Sequence, residues 1–200
     1  VSEENTSRSP SALARCVHEV VDHVDAEGWD QPPRLYALVP THLLAAAEPG
    51  LLDHLADGAE YTPIEQEALP EDILGGTPAL DEFLATTHWP ESVEGCILVQ
   101  EIVVLPPTAE SDLDHATAPV LTDHHAADEV ARLTANNHPD RREARLFVGV
   151  LRDGPSLALL QMRPDEDADP YGDMELLTYD GLAPHLVHAL YATLDEADDD

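Results

Sequence analysis

Five of the nine arginines in this 200-residue sequence, Arg132, Arg141, Arg142, Arg145 and Arg152, stand close together and meet only Asp140 and Glu143 between them. Elsewhere the balance is inverted. From Leu35 to Ala131 nineteen acids occur without an arginine, and twelve more acids follow Arg163 with none. A guanidinium is a planar fork of N–H donors that matches a carboxylate bidentately. The segregation therefore predicts a cationic stripe for an acidic ligand, for the acidic patch of a second copy in a homodimer, or for an acidic segment of another protein. The competing reading is internal: the stripe pairs with the chain's own surplus acids, the run Asp165 to Asp169 among them.

Glu101, beside Gln100, is a carboxylate inside the most apolar run of the chain, Cys96 to Leu105. Turned inward, it must be neutralised or paired, and an arginine from the adjoining 144–162 segment is the natural partner. A pair of that kind is ordinarily structural; a general-base role is the alternative. An enzyme of unfamiliar type would gather Glu101, His138 and the arginines in one concave site.

Metal is a weaker candidate. Asp112, Asp114, His115, Asp123, His124, His125, Asp128 and His138 supply oxygen and imidazole donors, and His124 and Asp128 share one helix face at i, i+4. His115, His124 and Asp128 are the best candidate set, but the spacing matches no named site. Eleven histidines among 41 acids bring some together by chance. No phosphate loop, dinucleotide fingerprint, GxSxG elbow, HExxH or paired CxxC is present, so no cofactor is expected. Gly75-Gly76 reads as a turn, because a chain without lysine has no GK[ST] triplet.

The formal net charge is −32. Such a field repels phosphate backbones and anionic head groups, so nucleic acid and membrane are poor partners. No run approaches the roughly 20 apolar residues of a bilayer span, and Val1 to Pro10 lacks a signal-peptide core; the cytoplasm is the expected location. Cys16 and Cys96 lie in apolar segments and read as buried, reduced thiols. Trp29 and Trp89 flank proline corners and read as lids on the core.

The elements that must position these residues follow from spacing. Ser9 caps a helix with Pro10 in its first turn and Leu13, Val17, Val20, Val21 and Val24 on one face, ended by Gly28. Leu35 to Val39 reads as a strand, Leu44 to Ala47 and Leu51 to Leu55 as short helical turns, and Glu60 to Ala68 as an edge strand. Thr77 caps a helix over Pro78 to Thr87. Cys96 to Leu105, apolar on both faces, belongs in the middle of a covered sheet. An acidic loop, Ser111 to Thr122, precedes a helix capped by Thr122 or Asp123 and running to about Asn136. Ala144 to Leu151 and Leu157 to Met162 form a hairpin turned at Asp153-Gly154. An acidic linker, Pro164 to Asp173, leads to a last helix with Leu182, Leu186, Leu190 and Leu194 as its seam.

The expected fold is α+β, one domain over residues 1–200 with 1–8 and 195–200 as disordered tails: a mostly antiparallel sheet of about five strands with helices packed on one face. The order α-βββ-α-ββ-α is similar in topology to bacterial type III secretion chaperones, also small acidic proteins, though no sequence motif is shared. HPDRREARLFVGVLRDG, from His138 to Gly154, together with VQEIVVLPP, from Val99 to Pro107, resembles an uncharacterised family of acidic proteins from high-GC Gram-positive bacteria. That resemblance implies no activity and assigns no catalytic residue. The leading functional expectation is a non-enzymatic interaction protein. An enzyme binding a small molecule or metal, and a structural protein without a ligand, are the alternatives.

Overall fold

The computed structural model describes residues 9–51, 58–106, 124–165 and 173–195, and the backbone alone of residues 51, 124–129 and 132. Helix α1 (Pro10–Glu27) begins where expected: the Ser9 hydroxyl accepts from the Ala12 N–H at 3.2 Å. It stops at Gly28, whose φ of 88° is one that side-chain-bearing residues rarely adopt. Its valines, Leu13 and Cys16 are buried along one stripe, each fully buried aliphatic side chain contributing about 1.5–3 kcal/mol.

The strands are β1 (Arg34–Pro40), β2 (Tyr61–Glu65), β3 (Gly95–Val104), β4 (Arg142–Leu151), β5 (Ser156–Met162) and β6 (Leu176–Leu177). They form one six-stranded sheet in the order β2-β1-β3-β4-β5-β6, with every neighbouring pair antiparallel. The remaining helices are α2 (Thr41–Ala47), α3 (Pro78–Ala85), α4 (His124–Asn137) and α5 (Pro184–Leu194), with a single 3-10 turn at Pro49–Leu51. Among the described residues no helix is long and apolar enough to cross a membrane.

The α+β class and the antiparallel sheet are as the sequence reads. The placing of the helices differs, because they cover both faces. Tyr36, Leu38, Ile97, Val99, Phe147, Leu151 and Leu159 face α1. Leu35, Ala37, Cys96, Leu98, Leu146, Val148 and Leu160 turn the other way, against Leu80 and Leu84 of α3 and Leu186, Leu190 and Leu194 of α5. A strand's period of two sends neighbouring residues to opposite faces, so strands apolar at every position need cover on both. β3 and β4 carry that pattern and lie at the centre. β2, with Pro63 in it, lies at an edge, where a missing N–H costs no ladder bond.

Two expected turns differ in detail. The β4–β5 hairpin forms, but only Asp153 takes a positive φ, 50°, and Leu151 N–H closes the loop onto Pro155 O at 3.0 Å. Thr77 sits at the N-cap of α3, yet its hydroxyl donates to Leu74 O at 2.7 Å instead of accepting from the helix. The expected acidic loop at 111–122, the helix cap at Thr122 or Asp123, most of the turn at 51–55 and most of the linker and both tails lie outside the described residues.

Candidate functional site

Three polar side chains form a row on the α1 face of the sheet. By register Glu101 on β3 lies beside Arg145 on β4, and Arg145 beside Gln161 on β5. The row lies beyond the point where Gly28 ends α1, so the face there is roofed by the segment from Gly28 to Gln31 and not by helix. Arg145 is 1% exposed and Gln161 2%. One Arg145 Nη2 donates to Glu101 Oε1 at 3.1 Å and to the Gly28 carbonyl at 2.5 Å, and Nη1 donates to Gln161 Oε1 at 3.1 Å. Gln161 Nε2 in turn donates to Asp25 Oδ1 at 2.6 Å. A cation at a helix C-terminus meets carbonyls left without intrahelical donors and the negative end of the helix dipole.

Glu101 is the hub between sheet and roof. Besides Arg145, its carboxylate accepts from Asp30 N–H at 3.1 Å and Gln31 N–H at 3.2 Å. Trp29 closes the top, its ring centroid 4.3 Å from the Arg145 guanidinium carbon and 5.4 Å from that of Arg163. Arg163 clamps Asp30 with two bonds of 2.9 and 3.0 Å and also reaches Glu143 at 2.5 Å. The Arg163 guanidinium holds the Asp30 carboxyl below its ordinary pKa.

The pairing of Glu101 with a hairpin arginine is thus present, with Arg145 as the partner. The expected stripe is dispersed. Arg145 is interior. Arg152 lies past the far end of β4, ten residues from Arg142 and so roughly 30 Å away along an extended strand. There it donates to the Leu194 carbonyl at the end of α5, and to Val93 O at 3.1 Å. Arg142 is exposed and pairs with Glu175 at 3.3 Å; Arg141 is exposed beside it. The side chain of Arg132 lies outside the described residues. The physical reason is that β4 alternates faces and spans the sheet, so arginines close in sequence part in space.

His138 sits in the turn before β4, where its Nδ1 accepts from Asp140 N–H at 3.1 Å; among the described residues no contact joins it to Glu101 or Arg145. Of the metal candidates, His115 and the side chains of His124 and Asp128 lie outside the described residues, and among those described no group of three ligating side chains occurs. Gly75-Gly76 is a turn laid on β3: Gly76 N–H donates to Gln100 Oε1 at 2.7 Å, and a Cβ on Gly75 would stand 2.5 Å from Glu101 O. Trp89 is a lid as expected, its Nε1 donating to Thr193 Oγ1 at 3.1 Å. Trp29 covers a buried cation and not the apolar core, a difference without a local signal, because a tryptophan next to a turn reads the same whether it covers leucine or arginine.

Within the cluster one buried donor, Arg145 Nε, has no hydrogen-bond partner among the described residues, but nothing else is left to bind through. The Glu101 oxygens already receive three donors, and the depression beside it, lined by Val24, Pro32, Arg34, Val99 and Gln100, is too shallow to enclose a ligand. What it does is lock the end of α1 and the Trp29 segment onto three strands. Exposed large apolar side chains lie elsewhere: Leu43, Ile64, Leu74 and Leu133 are separate in sequence, whereas Met174, Leu177 and Tyr179, 36%, 40% and 61% exposed, cluster around the edge strand β6.

No curated protein matches the chain. No solved structure matches it either, so the likeness to secretion chaperones gains no support from a known fold. A family model described as PPA1309-like protein matches residues 13–195, a span that holds the whole Arg145 cluster and both faces of the sheet; the chain belongs to that uncharacterised family.

Proposed function

We propose that this chain is an interaction protein that takes an extended segment of a partner protein on the open edge of its sheet at β6. The observation that carries the reading is the exposure of Met174, Leu177 and Tyr179 around a two-residue strand whose outer side pairs with no strand among the described residues. An unpaired edge offers backbone donors and acceptors to another chain, and apolar side chains beside it add affinity. One arginine that stays exposed borders the same surface: Arg142 reaches Glu175, one residue before β6. Arg145 and Arg152 are engaged within the chain and are left out of the proposed interface, which replaces the stripe as the docking surface.

The test is a photo-crosslinking amino acid at position 179, with one at Leu74, 55% exposed, as the control. The reading expects a discrete adduct from position 179 that is absent from position 74 and absent when Leu177 is also changed to proline. Equal adduct patterns from both positions would remove it.

A further inference from the structure

We infer that the segment accepted at β6 is a cationic β-strand, apolar and basic residues alternating along it. This inference rests on the reading of β6 as a docking edge and adds the chemistry of what docks. The geometry of the edge comes first. Met162 N–H donates to Glu175 O at 3.0 Å, and Glu175 and Leu177 are the residues that face β5 in the ladder. Alternate residues of an antiparallel strand direct their N–H and C=O to opposite sides, so those of Leu176 point away from β5, to the open edge. Thr178 Oγ1 donates to Ala158 O at 2.9 Å and ties the following residue to the sheet. The edge is thus held in strand geometry by β5 before any partner arrives.

Charge then selects the occupant. Asp173, Glu175 and Asp180 are exposed on either side of the apolar residues, and no lysine or arginine follows Arg163 in the sequence. The two arginines that border this edge are already paired, Arg142 with Glu175 and Arg163 with Asp30 and Glu143. A second copy docking edge to edge would bring these acids against their own equivalents, under a net charge of −32 on each chain; like charges directly opposite across strands are destabilising. A partner strand bearing lysine or arginine meets complementary charge at the rim, and the long-range field speeds its arrival. Its apolar residues, at every second position, cover Leu177 and Tyr179 on one face.

The probe is a short fluorescent peptide of alternating valine and lysine, titrated against the full chain by anisotropy. The comparison peptides have glutamate in place of lysine, or the same valines and lysines in two blocks. The alternating lysine peptide is expected to bind roughly tenfold more tightly than either, the order of effect seen when a central interface contact is lost. Leu177→Asp is expected to lose that advantage although it makes the surface more acidic, and Tyr179→Asp to do the same. Circular dichroism of both variants checks that the sheet is kept; either one retaining it suffices. Asp173→Asn with Asp180→Asn should weaken binding and flatten its salt dependence. Equal binding of the alternating and block peptides, or no effect of Leu177→Asp and Tyr179→Asp, would reduce the interaction to a polyanion attracting a polycation and overturn the inference. Preference for the glutamate peptide, or a doubled mass of the chain alone that Leu177→Asp abolishes, would also overturn it. In either case a specific crosslink at position 179 leaves the docking edge itself standing.

Discussion

The guanidinium of Arg145 is stacked under the indole of Trp29, 4.3 Å from ring centroid to central carbon. The indole shields a cation that is otherwise enclosed by Glu101, Gln161 and the Gly28 carbonyl, leaving it 1% exposed. Removing one partner of a buried ion pair costs far more than the pair contributes, because the other charge is left without compensation. Arg145→Met is therefore expected to lower stability by about 3 kcal/mol or more. Glu101→Gln keeps an acceptor for the roof N–H groups but leaves Arg145, the more deeply buried of the two charges, without its counter-ion, and should cost about as much. Urea denaturation of the two variants checks the size of both losses.

Gly149 lies on β4 beneath α1. A Cβ there would stand 2.8 Å from Val17 Cγ2 and 3.1 Å from Leu13 Cδ1. The helix approaches the strand closely because that position has no side chain. Gly149→Ala should cost about 1–3 kcal/mol by overpacking. Combining it with Val17→Ala should recover part of the loss relative to the sum of the two single changes, since the residues touch. Thermal unfolding of the three variants gives the coupling.

Cys16 and Cys96 are buried on opposite faces of the sheet, Cys16 on the inner side of α1 and Cys96 on β3 under α5, and both are free. Burial pushes each thiol from its ordinary 9.0 up to about 12. Neither should react with a thiol reagent in the native state, and both should react on unfolding; a spectrophotometric thiol titration reads this directly. The sign of the pH effect follows. Between the unfolded and folded values the folded chain holds more protons, so stability falls as pH rises through that window, by up to about 1.4 kcal/mol per pH unit for each thiol. A Cys16→Ala, Cys96→Ala chain should show a shallower alkaline decline in urea midpoint.

Asp30 is held ionised by the two-bond clamp of Arg163. Its folded pKa is depressed, so its contribution is present above the unfolded carboxylate value and is lost as pH falls through the folded one. A carbon-detected NMR titration should place the Asp30 midpoint below an ordinary aspartate. Arg163→Gln, or high salt, should return it towards that value, because the pair is exposed and screened.

Several of these relationships are readable before any coordinates. The stripe of α1, the β4–β5 hairpin and the need of Glu101 for a cation all follow from local spacing or from the desolvation of one charge. The distribution of helices was also present in the residues: Cys96, Ile97, Leu98 and Val99 are apolar in succession, which demands cover on both faces, and a one-faced arrangement leaves half of them wet. Three features lack a local signal. Arg152 is held by carbonyls at the far end of α5, a contact between distant segments. Trp29 covers Arg145 because Gly28 turns the chain back over the sheet. β6 is two residues in an acidic stretch, too short to show alternation, and is a strand only because β5 lends it a ladder.

Both outer helices depend on one strand. Val17 of α1 rests at Gly149 on one side of β4, while α5 packs on the other side. A ribosome delivers the chain from its amino end at about 5–20 residues per second. The apolar stripe of α1 thus emerges roughly ten seconds before its seat exists, and Cys96, Val148 and Val150 must wait again for α5. Over that interval the carboxylates strung along the nascent chain, nineteen of them between Leu35 and Ala131, give neighbouring polypeptides like charges whose repulsion opposes the meeting of two such stripes.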